Sequence, residues 1–332
     1  MSFLARIKKM LLGHNAVVLM YHRVGSIAID PWDLAVSSEN FEMHLALLKQ
    51  KYNVVPVAEL TRQINSGRIE KNTICITFDD GYQDNFINAM PLLKKFGCPA
   101  TFYITTGYTN QDKLFWWDVL TAIFLLAPKL PAALQYKGFD FTLENNGEMN
   151  SGQLLLHKNW KWPSPAPTQR AAIYLAIWEY LKPLPVDELL KFIDFLIDWS
   201  GIKPQAPRES LPMTGEQLKE LSAHQLFTLG VHTVNHPALG AQHSSVQKNE
   251  LTGSRDYLYQ HFNNYTDTVA YPYGHYNEET IHIMKNENFE AGFTTEERLV
   301  NNKSDIYRLG RFQVKNVDGI QLKEQLLKWS RQ

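Results

Sequence analysis

The chain has 332 residues, 44% of them hydrophobic, and a formal net charge of −1. That length admits one large α/β domain or two smaller ones with a sizeable core. The near-balanced charge excludes a general electrostatic pull toward nucleic acid or an anionic membrane. There is no run of about 18 apolar residues, so no membrane-spanning helix is predicted.

Residues 1–15 place Arg6, Lys8 and Lys9 opposite Phe3, Ile7 and Met10. This reads as an amphipathic helix, either docked on the domain or resting weakly on a membrane surface. Its apolar run is too short for a signal peptide, so the expected location is the cytoplasm, peripheral at the inner membrane in the second reading. Ala16 to Tyr21 is the first predicted strand, and His22-Arg23 stands at its carboxyl end. A histidine there is placed for proton transfer or, equally, for capping a turn. Phe41, Leu45 and Leu48 mark a helix that packs His44 beside its apolar stripe. A short strand follows at Asn53 to Val57, and a helix at Ala58 to Ile64.

Ile74-Cys75-Ile76-Thr77-Phe78 is apolar and β-branched, the pattern of a buried strand. Cys75 inside it is read as a buried thiol, and neither it nor Cys98, the other cysteine, demands an oxidising compartment. Asp79-Asp80-Gly81 follows at the strand's carboxyl end, where α/β folds place their sites. Two adjacent carboxylates repel unless a cation or a proton separates them. Asn85 to Phe96 reads as a helix stopped by Gly97, and Ala100 to Ile104 as the next strand. This alternation implies a parallel sheet with right-handed crossovers.

The alternation lapses over residues 109–211, read as a mostly helical insertion with helices at Ala171 to Tyr180 and Val186 to Trp199. Its tryptophans serve a small core of their own or stack on sugar rings. From Thr214, a capping-box residue with Gln217, the pattern resumes. Strands are predicted at Phe227 to Val231, Thr268 to Tyr271, Ala291 to Thr294 and Phe312 to Val314, and helices at Gln247 to Phe262 and Glu278 to Asn288. The total of about seven or eight strands suffices for a closed or nearly closed barrel.

His232 and His236 lie four apart after a strand. On a helical turn that spacing would put both imidazoles on one face, able to bind one metal ion with a carboxylate such as Asp80. Tyr271-Pro272-Tyr273-Gly274 reads by itself as an ordinary Pro-Gly turn after another strand, although such a turn can aim the Tyr273 backbone N–H at a developing oxyanion.

These three motifs resemble those of the polysaccharide deacetylases of carbohydrate esterase family 4, which carry the NodB homology domain. Thr77-Phe78-Asp79-Asp80-Gly81 is similar to the family's first motif, His232 to Pro237 to its second, and Val269 to Gly274 to its third. The resemblance implies a distorted parallel (β/α)7-type barrel over residues 16–108 and 212–332, with the insertion at 109–211 outside it. It implies a metal-dependent carbohydrate N-deacetylase, with Asp79 as catalytic base and Asp80, His232 and His236 as metal ligands. The Tyr273 N–H would be an oxyanion donor, and the substrate an N-acetylated carbohydrate or glycolipid. Zinc is the default cation, with Ni2+, Co2+ and Fe2+ suited to the same donors.

Two departures stand out. Ala270 and Tyr271 occupy the place where the family usually has an arginine that pairs with the catalytic aspartate, so Arg308 or Arg311 is a candidate replacement. No histidine follows His282, so the family's usual C-terminal acid is missing. Leu19 to Val24, however, resembles an N-terminal motif in the branch with the poly-N-acetylglucosamine deacetylases, and this makes His22 the candidate general acid. Rival readings are a deformylase or deacylase of a lipid-linked amino sugar or another linear amide, and a catalytically inactive carbohydrate-binding protein. The sequence gives no indication of the oligomeric state.

Overall fold

The computed structural model describes residues 14–204 and 208–331. Except for His14 and Asn15, the predicted N-terminal helix lies outside them. The continuous apolar runs become the inner strands of a parallel sheet, buried on both faces as such runs require. β1 (Val17–Tyr21), β2 (Asn53–Val54), β3 (Thr73–Phe78), β4 (Ala100–Ile104), β5 (Phe227–Val231), β6 (Tyr265–Ala270), β7 (Ala291–Phe293) and β8 (Phe312–Gln313) form it. The order is β7-β6-β5-β4-β3-β1-β8, with β2 paired to the start of β3. The sheet curls until its ends approach: Phe293 of β7 bridges in parallel to Leu309, three residues ahead of β8. The result is the expected distorted parallel (β/α) barrel.

Alternate residues along each strand enter different layers. Leu19, Ile76 and Phe102 pack outward with Leu45 and Leu48 of helix Ser38–Lys51 and with Leu93 and Leu218. Val18, Cys75, Tyr103 and Phe293 fill a second cluster with Leu60 and Ile64 of helix Val57–Asn65. Each such side chain contributes about 1.5–3 kcal/mol when fully buried. Cys75 and Cys98 are both free and buried.

The chain divides into this barrel and a second compact unit made of Ile27–Asp33 and Asp112–Leu211. Helices Gln169–Leu181 and Val186–Ser200 lie where periodicity predicts them. The unit is less wholly helical than its sequence suggests. Ala133–Tyr136 and Phe139–Thr142 form an antiparallel hairpin. Its two-residue turn puts Lys137 and Gly138 at φ 45° and 87°, the signature of a type I′ turn. Several of the unit's aromatics form a core of its own: Trp116, Trp160, Tyr174 and Phe192 are buried, and Trp32 donates its indole N–H to the Tyr174 hydroxyl at 2.8 Å. No helix among the described residues is long and apolar enough to cross a membrane.

His44 is fully buried, as its place beside an apolar stripe implies. Its Nε2–H donates to the Val317 carbonyl at 2.7 Å, and Nδ1 accepts from the Tyr21 hydroxyl at 3.2 Å. Both nitrogens are thus used by the neutral ring. Burial pushes the pKa down to about 4, against the Val317 carbonyl and Asp318, which pull it up. The unfolded chain takes up that proton near pH 6.5, and the folded chain does not until about pH 4. Stability is therefore lost as pH falls through this window, by up to about 3 kcal/mol. Urea unfolding at pH 7 and pH 4.5 is expected to show this loss, and His44→Gln to reduce it. An equal pH dependence in wild type and variant would assign the acid sensitivity elsewhere.

Candidate active site

The sequence-predicted site residues meet at the carboxyl ends of the strands. Asp79 and Asp80 follow β3, His22 follows β1, His232 follows β5, and Tyr273 lies three residues beyond β6. Several of these turns are left-handed. Asp80 has φ 71°, Thr233 65°, His236 61° and Tyr273 58°. Each non-glycine residue held there costs of order 1–3 kcal/mol and persists only where its surroundings over-determine it. Gly81 continues the first reversal at φ 85°, its N–H donating to the Asp79 carbonyl at 2.9 Å. Gly274 has no alternative, because a Cβ there would collide with Thr295 Oγ1.

Asp80 Oδ1 lies 3.4 Å from His232 Nε2 and 3.3 Å from His236 Nε2. All three residues are buried, with one donor atom of each within 4.8 Å of the others. Ligands about 2.0–2.2 Å from a shared tetrahedral zinc ion stand about 3.3–3.6 Å apart. The observed separations are long for direct N–H···O hydrogen bonds, so the donor set fits a divalent cation. His232 is oriented for this. Its Nδ1–H donates to the Ala270 carbonyl at 2.7 Å, which turns the Nε2 lone pair toward Asp80. Burial raises the Asp80 pKa, but the two imidazoles outweigh it and hold the carboxyl well below the usual range. Burial likewise lowers the His236 pKa, keeping a neutral ring suited to ligation.

The four-residue spacing works, but not through the expected helical turn. Residues 232–236 form an irregular bend, closed by the His236 N–H donating to Thr233 Oγ1 at 2.9 Å.

Asp79 faces the Arg311 guanidinium and the His22 imidazole. The Arg311 guanidinium grips it bidentately, Nη1 to Oδ1 and Nη2 to Oδ2, both at 2.7 Å. Arg311 is fully buried and also donates to the Thr294 carbonyl and Thr77 Oγ1. It lies just ahead of β8, whose Phe312 is level with Ile76 through their shared partner Leu19, so it approaches Asp79 from the barrel floor. Arg308, the other candidate, instead pairs with Glu278 and Asp305 at the surface. Burial raises the Asp79 pKa, but Arg311, aided by His232, brings it below the usual carboxylate value.

His22 Nε2 is 4.0 Å from Asp79 Oδ2. Its Nδ1 is buried and makes no hydrogen bond among the described residues. The main chain there is fixed by Asn85, whose Nδ2–H donates to the His22 carbonyl at 2.8 Å and to Asp84 Oδ1. Asp84 in turn pairs with Arg23 at 2.7 Å, both buried. Asn85 opens a π-helical turn, Asn85–Ala89, that leads into helix Met90–Phe96. The sequence reads only one continuous helix here; such π-turns often mark functional sites.

The Tyr273 ring meets the His236 ring edge-on, with centroids 4.6 Å apart. Tyr271 is extended, as the following proline demands, and Tyr273 and Gly274 then reverse the chain.

The family model described as polysaccharide deacetylase matches residues 66–143 and 192–292, together more than half of the chain. The matched ranges enter the insertion from both sides and leave out residues 16–65 and 293–332. A poly-β-1,6-N-acetyl-D-glucosamine N-deacetylase of Staphylococcus aureus is 21% identical over 90% of this chain and 78% of its own length. Among solved structures, the Streptococcus pyogenes deacetylase PplD, in complex with acetate, superposes with a TM-score of 0.60 at 21% identity, covering 94% of this chain and 98% of that one. IcaB from Ammonifex degensii gives 0.57 at 20% identity, covering 96% and 98%.

Proposed function

The chain belongs to the polysaccharide deacetylase family, and from that premise we propose that it hydrolyses N-acetyl groups on an N-acetylated polysaccharide or glycoconjugate. The observation that carries this reading is the juxtaposition of a carboxylate held ionised by Arg311 with a buried Asp-His-His donor set. Asp80, His232 and His236 are the residues that would hold a divalent cation, with zinc the first choice for two imidazoles and a carboxylate. Such a cation supplies positive charge that lowers the pKa of a nearby water and steadies the acyl oxygen as it gains charge.

The remaining steps belong to the chain's own side chains. Asp79 takes a proton from the attacking water as the new C–O bond forms. Arg311 keeps that carboxylate ionised and fixes its plane. The Tyr273 N–H donates to the oxygen of the tetrahedral intermediate. His22 delivers a proton to the amide nitrogen as the C–N bond breaks, giving acetate and a free amine. A β-linked N-acetylglucosamine polymer is the first substrate to test, because the Staphylococcus aureus relative is named for one.

Elemental analysis of protein purified without a metal-affinity tag is expected to find about one divalent metal ion per chain, and little in His236→Ala. The loaded wild type is expected to release acetate and amine from the polymer and to stop on chelation. Formate release from an N-formyl sugar in its place would shift the substrate to the deformylase reading. A wild type that neither carries nor takes up zinc, cobalt or nickel would end the hydrolase reading and leave a carbohydrate-binding protein.

A further inference from the structure

The bend that carries both imidazoles needs an anchor, and the turn after β4 supplies only part of it. Thr106 and Gly107 donate their N–H groups to the Thr233 and Val234 carbonyls at 3.1 and 2.8 Å. The N–H groups in the middle of the bend go to a single carboxylate from a helix further along the chain. Glu250, on helix Ser244–His261 and buried, accepts the Val234 N–H at 2.9 Å and the Asn235 N–H at 2.7 Å on Oε2. Its Oε1 accepts the Asn235 Nδ2–H at 2.8 Å. We propose that Glu250 is a positioning residue for the cation site, setting the separation of His232 and His236 through the backbone between them.

The argument is geometric. Thr233 and His236 both sit in the left-handed region, so the bend is strained at each end and relaxes unless its middle is held. Three donors converge on one acceptor-only group, and charge-assisted hydrogen bonds of this kind are about twice as strong as neutral ones. Relaxing the bend would move the His236 ring relative to Asp80 and His232. A carboxylate beneath the ligand bend also adds negative potential that favours a bound cation. Groups that orient ligands without touching the metal typically change its affinity by about 10–100-fold when removed.

This inference rests on reading Asp80, His232 and His236 as a cation site, so the test titrates metal and compares variants with wild type. Metal-free protein would be titrated with Zn2+ and its Co2+ absorption spectrum recorded. Glu250→Gln keeps the side chain's size but sets an amide against the Asn235 amide, and it is expected to raise the Zn2+ Kd about tenfold or more and to change the Co2+ spectrum. Adding Asn235→Asp restores a donor–acceptor pair with roles exchanged and is expected to recover much of the affinity. If Glu250→Gln does not fold, Asn235→Ala, which deletes only the Oε1 bond, is expected to raise the Kd by a smaller factor. Wild-type affinity and spectrum in a folded Glu250→Gln, or in Asn235→Ala where that is the variant measured, would overturn the positioning role and leave the cation site standing. A wild type that binds no metal would overturn the cation site itself and the positioning role with it.

Discussion

Arg311→Met is expected to lower kcat/KM for N-acetyl cleavage by about 10²–10³-fold and to move the acid limb of its pH profile upward. Two influences act on Asp79. Burial favours the protonated carboxyl, and the Arg311 guanidinium, aided by His232, more than reverses this. Without the guanidinium burial prevails, so a smaller share of Asp79 is ionised at any given pH and able to accept a proton. The carboxylate also loses the two parallel hydrogen bonds that fix its plane. Arg311→Lys restores a charge but not the fork, so an intermediate rate is expected.

Removing one partner of a buried pair costs about 3–5 kcal/mol of stability, so a lower Tm accompanies the rate loss. In wild type the depressed Asp79 pKa means that the pair stabilises the fold above the ordinary carboxylate range and fades as pH falls through it. The pH profile separates the two effects, because a destabilised but folded enzyme with unaltered Asp79 chemistry keeps its acid limb in place. An Arg311→Met enzyme with a wild-type acid limb would refute the assignment.

Local features of this site are legible in the chain, and long-range ones are not. Asp79 and Asp80 are visible because an apolar β-branched run ends in two carboxylates and a glycine, all within one turn. His232 and His236 are visible by their spacing, although the bend that unites them is strained rather than helical. Both motifs, with Tyr273, lie inside the ranges that the family model matches. His22 and Arg311, which both face Asp79, lie outside those ranges, one before and one after.

Arg311 reaches its partner across 232 positions of sequence, a pairing made only when the sheet curls and brings β8 beside β1. Its one local signal is a charge placed directly before a strand, and Arg308 carries a similar signal while facing solvent. Glu250 gives no signal at all, because an acidic residue in an amphipathic helix ordinarily faces water. The hairpin of the second unit had its signal in Lys137-Gly138 between alternating residues, and the surrounding helical periodicity masked it.

His22→Gln is expected to reduce kcat on the N-acetyl sugar by about 10²–10⁴-fold, the range a positioned general acid contributes. It is expected to leave hydrolysis of 4-nitrophenyl acetate nearly unchanged. The distinction lies in the leaving group. An amide nitrogen departs poorly without a proton, whereas nitrophenolate departs as a stable anion and needs none. Nucleophilic attack and oxyanion stabilisation are common to both substrates, so a defect confined to the amide isolates the protonation step.

The proposed proton donor stands beside the proposed base. His22 Nε2 stands 4.0 Å from Asp79 Oδ2, near enough to share the substrate's acyl group and too far for a hydrogen bond. Its carbonyl is held by Asn85, so the ring is presented by a fixed backbone. Metal content measured alongside would show whether the Asp80–His232–His236 set survives the substitution. Equal losses on amide and aryl ester, with metal retained, would mean that His22 acts by orienting Asp79. The proton for the leaving amine would then have to come from Asp79 itself, carrying the one it took from water.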